Sequence, residues 1–103
     1  MTVSVDDLGI RRGELEGLCQ RWGIARLFVF GSFARGEEGP SSDVDLMVAF
    51  APKRKPSLWR FVELKDEFEA LLGRSVDLVV EGSIENPYRL RNIERDLTQI
   101  YAA

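Results

Sequence analysis

From Asp43 to Phe50 the chain alternates without a break, with Val44, Leu46, Val48 and Phe50 in one phase and Asp43, Asp45, Met47 and Ala49 in the other. Period-two patterning of this kind belongs to a β-strand, whose successive side chains point to opposite faces of a sheet. The two carboxylates fall in the same phase, so they share a face. A charge set into such a strand requires solvent or a counter-ion, because an unpaired carboxylate cannot be buried at tolerable cost. The pattern therefore demands a sheet with one apolar face packed by other elements and one face on which charge has a use.

The flanking sequence supplies the packing elements. Leu15, Leu18, Cys19 and Trp22 follow the i, i+3, i+4, i+7 spacing of an amphipathic helix, and Gly23 stands where a left-handed C-terminal cap belongs. Leu27 to Phe30, bounded by Gly23 and Gly31, forms a short continuous apolar run suited to a central strand buried on both faces. Gly31-Ser32 ends that strand. Phe33 to Arg35 is expected to make one helical turn capped by Ser32, followed by a polar loop over 36–42 containing Gly39-Pro40. After Pro52 to Pro56, Ser57 can cap a longer helix with an apolar stripe of Leu58, Phe61, Val62, Phe68, Leu71 and Leu72, closed by Gly73. Trp59 falls off that stripe, as an exposed residue would. Ser75 to Val80 reads as a third strand with Asp77 in the polar phase, Asn86-Pro87 starts a short helix through Leu90, Ile93 and Glu94, and Leu97 to Tyr101 adds a last strand. Strands alternating with helices predict one α/β or α+β domain spanning 1–103, a small mixed sheet with helices on its apolar face and the aspartate face open.

Composition narrows the chemistry. The chain has no histidine and a single cysteine, Cys19, which removes internal disulfides, His-based acid–base catalysis and zinc sites of the usual ligand set. Any metal must be held by oxygen. Fourteen Lys and Arg against seventeen Asp and Glu leave a net charge of -3, which argues against a protein that stably coats nucleic acid. With 103 residues, 45% of them hydrophobic, one modest core is expected and a second domain does not fit. No segment reads as a membrane span or a signal peptide, so the expectation is a cytoplasmic protein.

Asp43 and Asp45 on one strand, with Asp77 on what could be a neighbouring strand about 4.8 Å away, would converge on one site. Three such carboxylates repel one another, and Mg²⁺ is the natural oxygen-liganded ion to neutralise them. Gly31-Ser32, where a strand turns into a helical start, could hold phosphate oxygens through backbone N–H groups and the Ser32 hydroxyl. Metal together with a phosphate cradle is equipment for phosphoryl or nucleotidyl transfer. Each feature also has a plainer reading: Asp43 can close a turn through its own backbone bonds, Asp77 can be a solvated edge residue, and Gly31-Ser32 can be an ordinary capped turn. Lys53, Arg54 and Lys55 read as a solvated charge run. Trp59 is a candidate for a partner contact or a base-stacking platform.

Gly31-Ser32, ten residues, then Asp43-Val44-Asp45 resembles the signature of the DNA polymerase beta-like nucleotidyltransferases. The longer string GSFARGEEGPSSDVDLMV, with VDLVV downstream, resembles in particular the minimal nucleotidyltransferases that act as antitoxins paired with HEPN ribonuclease toxins. The resemblance implies a polymerase beta-like core and two Mg²⁺ ions bound by Asp43 and Asp45, with Asp77 completing the second site and accepting the attacking proton. It also implies that Gly31 and Ser32 hold the terminal phosphates of ATP. Arg35 lies in the family's Gly-Ser-x-Ala-Arg-Gly run; it could stabilise phosphate charge or form an internal ion pair with the aspartates. The activity implied is transfer of AMP to a hydroxyl of a HEPN-type toxin, a tyrosine by analogy. Sequestration of the toxin without catalysis, and transfer to a small molecule or an RNA end, stand as alternatives.

Overall fold

The computed structural model describes residues 11–36 and 43–103. The chain runs α1 (Arg12–Trp22), β1 (Ile24–Phe30), α2 (Gly31–Ala34), β2 (Val44–Phe50), α3 (Leu58–Leu72), β3 (Val76–Val80), α4 (Pro87–Asp96) and β4 (Thr98–Ala102). The four strands form one mixed sheet in the order β3-β2-β1-β4, with β1 antiparallel to both β2 and β4 and β2 parallel to β3. The parallel pair is joined through α3, since parallel neighbours need a crossover and a hairpin turn cannot supply one. The polar loop expected after Gly36 lies, from residue 37 to 42, outside the described residues.

Capping follows the sequence closely. Gly23 and Gly73 end α1 and α3 in the left-handed conformation, φ 68° and 67°. The Ser57 side chain accepts from the Arg60 N–H, and Asn86 Oδ1 accepts from the N–H groups of Tyr88 and Arg89, with Pro87 just inside α4. The short α2 departs from expectation. It begins at Gly31 itself, so Ser32 sits inside the turn and makes no cap bond there.

The main core lies between the sheet and α1 and α3. Leu15, Leu18 and Cys19 of α1 and Leu64 and Phe68 of α3 are buried with Leu27, Val29, Val44, Leu46 and Val48 of the sheet. Burial pushes the Cys19 thiol up to about 12, which keeps it protonated and unreactive. The stripe of α3 is corrected here: Leu64 and Phe68 are its buried residues, Leu58 is 75% exposed and Val62 is exposed too, because the helix docks on a face rotated from the one its first turn suggests. Trp59 is 80% exposed, as its position off the stripe implies. Side-chain clasps fix α3 on both sides. Trp22 Nε1 donates to Glu67 at 2.9 Å, and Glu69 accepts from the Val76 N–H at 2.9 Å.

Helices are not confined to one face. A smaller cluster of Phe30, Met47 and Ile93, flanked by Phe28, Val79, Ile84 and Leu97, seats α4 on the opposite face. The aspartate face expected to stand open is therefore roofed beyond Asp45, and Met47 and Ala49 are buried.

Candidate active site

The register of the parallel pair sets Asp45 opposite Asp77, and across the other edge of β2 Phe30 stands opposite Asp45. Paired residues in a sheet point to the same face, so the Asp45 and Asp77 side chains stand side by side at the end of β1 where Gly31 begins. Asp43 precedes β2 by one residue and is exposed. The edge is anchored there by the Val44 N–H, which donates to the Ser75 carbonyl at 3.0 Å.

Asp45 is half-buried, and its carboxyl titrates above the usual range, first because burial removes water and then because Asp77 and Asp43 repel its charge; Arg35 and Arg89 partly oppose the shift. The three aspartates thus share one electrostatic neighbourhood. Among the described residues no three acidic or thiol side chains are gathered closely enough to hold a metal ion as they stand. The donor set nonetheless suits a hard cation: it is all oxygen, and the charges of Asp77 and Asp43 repel that of Asp45.

Gly31 is required twice over. Its φ is +73°, and a Cβ at this position would collide with Asp45 Oδ2. The backbone of the turn is packed directly against the carboxylate, an approach that only glycine permits. The N–H groups that follow open α2, and the first N–H groups of a helical turn have no partner within it. Ser32 is half-buried on that turn.

The structure gives Arg35 a partner outside the aspartate cluster. Its guanidinium pairs with Asp96 at 2.5 Å, where the Asp96 side chain is only 10% exposed. Arg35 and Asp96 line a cleft of about 280 Å³ together with Phe30, Gly31, Arg89, Asn92, Ile93 and Arg95. Arg89 Nη2 lies 3.7 Å from Asp77 Oδ2. Sequence reasoning passed over Arg89, Arg95 and Asp96; the one available signal was the basic composition of α4 between Arg89 and Arg95, which has no sheet context until the helix is docked.

The chain belongs to the nucleotidyltransferase domain family, whose pattern it matches over residues 12–99, a span that takes in the parallel strand pair and the glycine turn. Within that class its relatives are narrower. It is 46% identical over 69 residues to protein adenylyltransferase MntA of Thermococcus cleftensis, covering 67% of this chain and 68% of that protein. A solved structure of a candidate minimal nucleotidyltransferase is 39% identical and superposes with a TM-score of 0.70 over 92% of this chain and 94% of the other. Two complexes share the fold at lower identity. A toxin–antitoxin structure with AMP-PNP gives a TM-score of 0.73 at 20% identity, covering 91% of this chain and 75% of that one. The AMPylated HEPN toxin of Shewanella oneidensis in complex with its MNT antitoxin gives 0.63 at 18%, covering 88% and 69%. Among the described residues no helix is long and apolar enough to cross a membrane.

Proposed function

We propose that this chain transfers AMP from ATP to a hydroxyl of a HEPN-type partner protein, with Mg²⁺ held by Asp43, Asp45 and Asp77, and so acts as the antitoxin of a toxin–antitoxin pair. The observation that carries the reading is the Asp45–Asp77 register against Gly31: two side-by-side carboxylates, one of them raised by burial and then by its neighbours' charge, abut a turn whose glycine backbone packs against the carboxylate. The names of its relatives, which speak of protein adenylylation and of HEPN toxin complexes, support the choice of donor and acceptor.

Bound Mg²⁺ supplies charge neutralisation for the triphosphate and lowers the pKa of the acceptor hydroxyl. Gly31 and Ser32 would hold the terminal phosphates through backbone N–H groups and the Ser32 hydroxyl, leaving the α phosphorus to be attacked. The acceptor oxygen attacks that phosphorus, the bond to the bridging oxygen breaks, pyrophosphate leaves, and Asp77 takes the hydroxyl proton. Arg35, fixed by Asp96, offers fixed positive charge on the cleft wall beside Gly31. A tyrosine phenol is the acceptor we expect. The reaction needs ATP and Mg²⁺ at hand, which points to the cytoplasm.

Incubation of the chain with its cognate partner, Mg²⁺ and ATP, followed by intact-mass spectrometry, tests this. One or more AMP additions to the partner are expected with the wild type and none with the Asp43→Asn, Asp45→Asn double variant. A partner that stays unmodified yet is inhibited equally by both proteins would replace catalysis with sequestration.

A further inference from the structure

Helix α4 supplies Asp96 to fix Arg35, and it also carries an arginine with no assigned task in the reaction just described. Arg89 Nη2 stands 3.7 Å from Asp77 Oδ2, with the two side chains 53% and 51% exposed. The same arginine lines the cleft that reaches Gly31. A half-exposed pair at this distance is weak, so a stronger ligand displaces it at small cost. Arg35 on the same cleft differs, because Asp96 is largely buried and holds it at 2.5 Å. One cleft arginine is fixed and the other is exchangeable.

An arginine and a divalent ion cannot both engage the same carboxylate at full strength, and the arginine cannot escape by losing its proton. A triphosphate arriving with the metal changes that competition, because phosphate oxygens offer a guanidinium stronger, bidentate acceptors than a solvated carboxylate does. We propose that Arg89 is a substrate-positioning residue: it occupies Asp77 in the nucleotide-free protein and exchanges it for a phosphate oxygen of the incoming metal-bound triphosphate, releasing Asp77 to the metal. This rests on the reading of Asp77 as a metal-binding carboxylate. Its signature is a pair of effects of opposite sign, since Arg89 opposes the bare metal and favours the metal–nucleotide complex. A merely structural arginine would not separate the two.

The experiment titrates the whole chain with Mn²⁺ alone, followed by the paramagnetic resonance of the free ion, and with Mg²⁺-ATP by calorimetry, for wild type, Arg89→Gln, Arg89→Lys and Asp45→Asn. Arg89→Gln is expected to bind Mn²⁺ about two- to fivefold more tightly, the range of an exposed ion pair, and Mg²⁺-ATP about tenfold more weakly, as for loss of a charged hydrogen bond. Arg89→Lys should return Mn²⁺ binding to the wild-type level and recover only part of the ATP binding. Arg89→Gln effects that are absent or share one sign would overturn the exchange while wild-type Mn²⁺ binding still depends on Asp45. Mn²⁺ binding that is absent, or indifferent to Asp45→Asn, would overturn the metal-site reading and the exchange with it.

Discussion

Beneath α1 and α3 the sheet is sealed by a continuous apolar layer that reaches from Leu15 to Tyr101, whereas the buried cluster that seats α4 comprises three described residues, Phe30, Met47 and Ile93. The first face spends its side chains on stability: its polar contacts, Trp22 to Glu67 and Glu69 to the Val76 N–H, serve to hold helix to helix and helix to strand. The second face gives its best positions to like charges. Asp45 occupies a half-buried strand site that an apolar residue would fill more favourably, and its carboxyl is raised as a result. A small domain can carry such a penalty on one face because the other is packed without compromise.

The largest effect should come from the packed face. Phe68→Ala is expected to lower the unfolding free energy by about 3–5 kcal/mol, and Ile93→Ala by about 2 kcal/mol, near the lower end for large-to-small core changes. Denaturant unfolding of both variants measures this. Equal losses would mean that α4 is as deeply seated as α3 and that the asymmetry is superficial.

Gly31→Ala should separate stability from chemistry. Forcing alanine to φ +73° costs about 1–2 kcal/mol, a modest thermal destabilisation. The added methyl must also push Asp45 aside, and a displacement near 1 Å lowers transfer by roughly 10²-fold. A variant that melts early but transfers AMP at the wild-type rate would show that the turn is structural and that Asp45 does not need its present position.

The smallest effect concerns pH and has opposite signs on the two faces. Asp45 has a raised folded-state pKa, so the unfolded chain loses its proton first and the metal-free protein becomes less stable as pH rises from the usual aspartate range through the folded value. Glu69 has a lowered one, chiefly through the Val76 N–H, so its contribution is present above the unfolded value and is lost as pH falls through the folded one. Melting curves between pH 3 and 7 without divalent ions should show Asp45→Asn removing a falling component and Glu69→Gln a rising one. Two variants that tilt the profile the same way would contradict the assignment.

How much of this was legible beforehand also divides by face. Strand order aside, the elements and most caps could be read from alternation and from Gly23, Gly73, Ser57 and Asn86, because those signals are local. The in-phase aspartates were legible for the same reason, and the register that pairs Asp45 with Asp77 is the tertiary fact that gives their phase its meaning. The stripe of α3 was misread at Leu58, Val62 and Leu64 because an apolar first turn does not reveal how the helix rotates when it docks. Arg89 and Asp96 were invisible: α4 is polar over most of its surface, and only its seat on Ile93 decides which charges reach the cleft.

The parallel pairing of β2 with β3 also sets when the site can come into being. Asp45 and Asp77 are adjacent through a strand pairing that cannot form until α3 has crossed the sheet, and contacts of that non-local kind are made late because the intervening loop must first be closed. A nascent chain that has emerged through β2 already carries Gly31, Asp43 and Asp45 but lacks Asp77 beside them. The proposed nucleotide site is therefore a property of the finished sheet, completed only when β3 takes its place beside β2.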